Sequence, residues 1–297
     1  MAVRAFMSDF TYDEFVTRNL GFVTPEEQTK LRAARVFIPG VGGMGGAAFM
    51  LLVRSGIGHF AIADIDTFEV SNLNRQLFAT LDTVGRSKVD SAAAGARRIN
   101  PEVQLEVMGG EWIDRIEDIA THHSVIVNGA DDAQAGVRMY RVAREKRATV
   151  IDAYAATLPS VYVVRPDDPR PEERMRYPTV GKDWTAITDE DRMQCLNREL
   201  EWALTHSNTH RYVDLAIAAE LAAGKRKRFS FAPMVVSTGA LMAYEAIRLI
   251  LGRDGGADHR GYFFNPHTPG IERPLPWPLS AAKGALVRRF MAKMGAQ

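Results

Sequence analysis

Val36-Phe37-Ile38-Pro39-Gly40-Val41-Gly42-Gly43-Met44-Gly45 changes chemistry at Gly40, and the fold follows from that change. The apolar residues before it read as a buried strand, and residues 44–55 carry the apolar spacing of a helix. A glycine turn between strand and helix brings the free N–H groups of the helix N-terminus close to a phosphate. A second predicted strand, residues 60–65, runs into Asp64 and Asp66. Asp64 lies at the spacing of roughly 20 residues where such pockets bind a ribose. By itself this fingerprint also suits a nicotinamide or flavin domain. The next segment, Ser71-Asn72-Leu73-Asn74-Arg75-Gln76, favours a triphosphate instead. Hydride transfer needs no guanidinium there, whereas Arg pairs bidentately with phosphate oxygens.

Working outward, apolar strands are expected near residues 103–108, 124–128, 149–152 and 160–165, with helices over 82–99 and 133–146. This alternation predicts an α/β protein with a Rossmann-like, doubly wound, mainly parallel sheet and helices on both faces. Asp167-Asp168-Pro169-Arg170-Pro171 ends the regime, and a polar, mostly helical insert follows, with helical spacing over 188–205 and 210–223. The expected organisation is an N-terminal helical segment (1–34), a nucleotide-binding half (35–166), a helical crossover and substrate insert (167–231) and a C-terminal helix with sheet completion (232–297). Within the last part, residues 237–251 read as a long helix and 261–264 as a strand. A Pro-rich stretch near 274–278 then leads to a short basic helix.

The motifs resemble the ThiF/MoeB/HesA family, the adenylating domain shared with ubiquitin-activating enzymes. The glycine loop, Asp64-Ile65-Asp66 and the Ser71–Gln76 segment match in order, followed by Val84-Gly85-Arg86-Ser87-Lys88, Ile99-Asn100-Pro101 and Val127-Asn128-Gly129-Ala130-Asp131-Asp132. Similarity resumes at Ala232-Pro233, Gly239 and Glu245-Ala246-Ile247. The resemblance implies that ATP is bound by Gly40, Gly42, Gly43, Gly45, Asp64, Asp66, Asn72, Arg75, Gln76 and Lys88, with Arg75 and Lys88 on the β and γ phosphates. It also implies that Asp131 holds Mg²⁺. Arg18-Asn19 resembles the start of the family, where an arginine reaches into the neighbouring subunit's site, so Arg18 is expected to act across a homodimer. The implied chemistry is attack by a substrate carboxylate, from a peptide or small protein, on the α-phosphorus of ATP, giving an acyl-adenylate and pyrophosphate. Asp132 stands where the family has Asn, and a helix-capping role is expected for it.

The chain departs from sulfur-carrier-activating relatives. Its 297 residues contain one cysteine, Cys195, so the paired Cys-x-x-Cys zinc site is missing and no zinc is expected. No thiol stands in the segment shortly before Ala232-Pro233, where Lys225-Arg226-Lys227-Arg228 reads as a solvated loop. Cys195 is expected to be an inert helix residue beside Leu196, Leu200 and Leu204, with transfer passing directly from adenylate to acceptor. The alternatives are a Cys195 thioester enzyme or an inactive nucleotide-binding partner of a heteromeric activating enzyme. His206 and His210 have a ligand-like spacing but no further ligands nearby. The formal charge of +1 predicts neither a nucleic-acid nor a membrane partner. The N-terminus is too polar for a signal sequence, so a cytoplasmic protein is expected.

Overall fold

Strand β1 (Arg35–Pro39) is buried along nearly its whole length and lies inside an eight-stranded sheet. The order is β3-β2-β1-β4-β5-β6-β7-β8, where β2 is His59–Ala63, β3 Gln104–Met108, β4 Val125–Val127, β5 Thr149–Asp152, β6 Ser160–Val164, β7 Tyr262–Asn265 and β8 Gly270–Glu272. From β3 across to β5 the strands run parallel. Strands β6, β7 and β8 join antiparallel, continuing one sheet. The protein is therefore α/β with a mainly parallel, Rossmann-like sheet, as its strand–helix alternation predicts. The computed structural model describes residues 10–214, 217 and 229–295.

Helices α1 (Tyr12–Val16) and α2 (Pro25–Ala33) precede the sheet, and α3 (Met44–Arg54) leaves the glycine turn. They are followed by α4 (Lys88–Ile99), α5 (Ile116–His122), α6 (Ala133–Glu145), α7 (Pro171–Arg174), α8 (Asp189–His206), α9 (Ala232–Leu251) and α10 (Leu279–Gly295). Because strand side chains alternate, β1 feeds two cores. Val36 and Ile38 pack with Phe49 and Leu52 of α3, Ala92 of α4 and Met242 of α9. Phe37 faces the other way, toward Ile116 of α5, Met139 of α6 and Ala203 of α8.

Helix α9 is long and apolar enough to cross a membrane by length and composition, with a mean hydropathy of 1.5. Its packing is that of a core helix. A Cβ at Gly239 would stand 2.8 Å from the Met44 carbonyl oxygen, so α9 and α3 meet at van der Waals limits. Its buried Glu245 accepts hydrogen bonds from Arg248 at 3.2 Å and from the Ala257 N–H at 3.0 Å.

Several boundaries differ from expectation. The helix expected from residue 82 starts at Lys88, because Gly85 takes φ +82° and the Ser87 hydroxyl caps the helix by accepting from the Asp90 N–H. Helix α5 and strand β8 were not expected, and α10, at 17 residues, is longer than the short helix anticipated. The helix expected over 188–205 is α8, capped by Thr188 and Asp191 in a capping box. Of the 210–223 helix and the Lys225–Arg228 run, residues 215, 216 and 218–228 lie outside the described residues.

Candidate nucleotide site

The sequence motifs converge where the parallel strands end, the edge at which open α/β sheets bind ligands. Backbone crowding at this edge explains two of the glycines. Gly40 takes φ +80° and donates to the Ala63 carbonyl at 2.6 Å, while the Gly129 N–H donates to Pro39 at 2.7 Å. A Cβ at Gly45 would overlap the Gly40 carbonyl oxygen and stand 2.9 Å from the Gly129 Cα. The turns after β1 and β4 thus touch backbone to backbone, with no room for side chains. Gly42 is different: a Cβ there would meet the Gln76 side chain at an ordinary 3.5 Å, so only an approaching ligand would demand glycine. Gly43 is the N-cap of α3, and no side chain caps that helix. Its first-turn donors therefore face the edge without a competing side-chain acceptor.

Asp64 holds this loop. One carboxylate oxygen accepts from the Val41 N–H at 3.0 Å and the other from the Asp66 N–H at 3.0 Å. Burial raises its pKa above the usual carboxylate value, against these hydrogen bonds and the nearby Lys88 charge. Asp66 pairs with the Lys88 ammonium at 2.8 Å, joining the end of β2 to the first turn of α4. Asn72 is buried, and its side-chain oxygen accepts from the Glu69 N–H at 3.0 Å. Gln76 is also buried beside Gly42, and its Oε1 has no hydrogen-bond partner among the described residues. A buried orphan acceptor costs free energy unless a ligand or water satisfies it. Arg75 uses Nη1 to donate to the Ser71 carbonyl and the Asn74 side chain, both at 2.9 Å. Asn74 in turn donates to the Ser230 carbonyl at 3.2 Å, anchoring this segment near the start of α9.

Asp131 lies exposed beyond β4 with no hydrogen bond or ion pair among the described residues. Asp132 caps α6, as expected, accepting from the Ala135 N–H at 2.7 Å, and also pairs with Arg192 of α8 at 3.2 Å. Arg192 further donates to Gln134, which donates to the Trp184 carbonyl at 2.9 Å. The insert is thereby fastened beside Asp131. This contact was not legible in the sequence, because it joins residues nearly sixty apart with no shared periodicity.

Arg18 does not join these residues within the protomer. It is exposed in a 3₁₀ turn whose neighbour Asn19 donates to the Ser55 carbonyl, at the far end of α3 from the glycine loop. Eleven helical residues place that end roughly 16 Å away.

Among the described residues, no three His, Cys, Asp or Glu side chains come together to hold a metal. His206 packs against Trp202 and accepts from the Leu275 N–H at 3.0 Å, which accounts for it without a metal. Cys195 is 1% exposed, and burial followed by the Glu199 and Asp191 charges pushes its thiol up to about 12. A thiol that is both buried and protonated is a poor acyl acceptor, which weighs against the thioester alternative.

These contacts define a Rossmann-like α/β protein whose glycine loop is joined through Asp64 and Asp66 to the Lys88 ammonium. A family model, the ThiF family, matches residues 16–277, and the chain belongs to that family. It is 27% identical over 146 residues to a molybdopterin-synthase adenylyltransferase of Haemophilus influenzae, covering 48% of this chain and 60% of that protein. To a SAMP-activating enzyme E1 of Haloferax volcanii it is 36% identical over 112 residues, 37% of this chain and 41% of the relative. The aligned part thus spans about half the length of these relatives. In fold it is similar to E. coli MccB solved with ATP, with a TM-score of 0.58 and 21% identity, covering 83% of this chain and 65% of that one.

Proposed function

We propose that the protein is an ATP-dependent adenylyltransferase that activates a substrate carboxylate. The carboxylate oxygen attacks the α-phosphorus, the bond to the pyrophosphate oxygen breaks, and an acyl-adenylate forms. The observation that carries this reading is the uncapped N-terminus of α3, flanked by the Asp66–Lys88 pair, Arg75 and the orphaned Gln76 acceptor. Positioning and charge neutralisation are the main work of such a site, and these groups supply both. The names of the two relatives, an adenylyltransferase and an activating enzyme, agree with it.

Mg²⁺ keeps most of its waters and binds through one or two carboxylates plus phosphates, so a single exposed Asp131 at the strand edge fits it. Bound there with ATP, it would neutralise phosphate charge. The substrate we favour is the carboxylate of a peptide or small protein, received beside the insert that Arg192 fastens to Asp132. Because Cys195 is buried, direct transfer from adenylate to acceptor is the second step we favour. We further propose a cytoplasmic homodimer in which Arg18 reaches the partner's site.

The test is ATP–pyrophosphate exchange driven by candidate peptide carboxylates. Asp131→Asn should abolish exchange while circular dichroism shows the fold unchanged. Unaltered exchange in that variant would remove Asp131 from the site.

A further inference from the structure

We propose that Asp152 is a positioning residue for the turn that presents Asp131. The inference rests on the adenylation reading and adds a residue on the neighbouring strand. Strands β4 and β5 pair in parallel with Val127 opposite Ile151, so the next residues, Asn128 and Asp152, lie side by side at the end of that parallel pair. The Asn128 amide donates to one Asp152 oxygen at 2.9 Å, and the Tyr140 hydroxyl donates to the same oxygen at 2.7 Å. The other Asp152 oxygen accepts from the Ala153 N–H at 2.7 Å. Both carboxylate oxygens are therefore engaged as acceptors, and they fix the orientation of Asn128. Only in that orientation does the Asn128 oxygen accept from the Ala130 N–H, at 3.2 Å, and close the turn that ends at Asp131.

The same turn is held from its other side by the Gly129 N–H on Pro39 and by the Gly40–Gly45–Gly129 contact. Asp152 thus ties the β4 exit to the sheet while the glycine loop presses on it. Nothing in this arrangement is required merely to bury apolar area. Burial raises the Asp152 pKa above the usual carboxylate value, and the hydrogen bonds from Asn128, Tyr140 and the Ala153 N–H oppose that desolvation cost.

Asp152→Asn removes one acceptor. Whichever way the new amide turns, a donor then faces either Asn128 or the Ala153 N–H. If Asn128 flips in response, the Ala130 N–H loses its acceptor. The reciprocal variant Asn128→Asp/Asp152→Asn restores the donor–acceptor order, with the amide on β5 donating to a carboxylate on β4.

Two readouts decide, hydrogen exchange at the Ala130 amide in the nucleotide-free protein and turnover in pyrophosphate exchange with its Mg²⁺ dependence. For Asp152→Asn we expect faster Ala130 exchange, turnover lowered by about 10- to 100-fold, and a higher Mg²⁺ concentration at half-maximal rate. The reciprocal variant should recover most of both. Unchanged Ala130 protection with turnover within about twofold of wild type would overturn the proposal, as would a folded reciprocal variant no better than the single one. If the wild type shows no pyrophosphate exchange, the adenylation reading fails, while amide exchange still decides whether Asp152 holds the turn.

Discussion

The Lys88–Asp66 pair predicts an asymmetry between two single substitutions. Lys88 is 8% exposed, whereas the Asp66 side chain is 62% exposed, and they meet at 2.8 Å. Removing the charge of Lys88 leaves Asp66 free to hydrate. Lys88→Met, which keeps the aliphatic stem, should therefore cost under about 1 kcal/mol, the range of an exposed pair. Asp66→Asn leaves an ammonium buried with a weaker partner. Breaking a fully buried pair costs about 3–5 kcal/mol, and because Asp66 itself faces solvent we expect about 1–3 kcal/mol. Urea unfolding monitored by tryptophan fluorescence gives both values. ATP supplies a third: if Lys88 contacts phosphate, saturating ATP with Mg²⁺ replaces the missing anion and stabilises Asp66→Asn more than it stabilises wild type. ATP should stabilise Lys88→Met less than wild type. Equal costs for the two variants, or an ATP increment that ignores both, would refute the reasoning.

Four further outcomes are expected. Arg75→Ala should weaken ATP binding roughly tenfold or more in calorimetry, since a charged hydrogen bond is worth about 1.5–3 kcal/mol. Cys195→Ser should retain pyrophosphate exchange and full product formation; a covalent adduct lost in that variant would instead establish a thioester. His206 is buried, and burial with the Lys283, Arg174 and Arg260 charges lowers its pKa to about 4 from an ordinary value near 6.5. The unfolded chain then binds the extra proton between those values, so stability should fall as pH drops from 6.5 toward 4, by about 3 kcal/mol at most. In His206→Asn that part of the slope should vanish in urea titrations across this range. Mixing Arg18→Ala with Asp131→Asn chains should restore part of the exchange activity if Arg18 works in trans, and no complementation would place it outside the partner's site.

What the sequence made legible was local. The turn at Gly40, the cap at Asp132 and the strands around them depend on neighbours within a few residues, and each stands where the pattern puts it. The start of α4 was misplaced because Leu81, Val84 and Val89 mimic helical spacing, although Gly85 and the Ser87–Asp90 cap mark the true boundary. Strand β8 is three residues long and exists through pairing with β7, which local propensity does not encode. The candidate site divided in the same way. Spacing brought out Asp64, and the family resemblance Lys88 and Asp131, but neither revealed that Lys88 is paired with Asp66 or that Asp64 pins the Val41 N–H. Asp152 left one signal, an acid closing a parallel strand at the ligand edge, and its connection to Asn128 required the register of β4 on β5.

The central claim is that this glycine loop serves ATP rather than a dinucleotide. Isothermal titration calorimetry of the wild-type protein with ATP and Mg²⁺, and separately with NAD, tests it most directly. The account predicts saturable binding of ATP, weakened in Arg75→Ala, and no measurable heat with NAD. Tight NAD binding in the absence of ATP binding would contradict it.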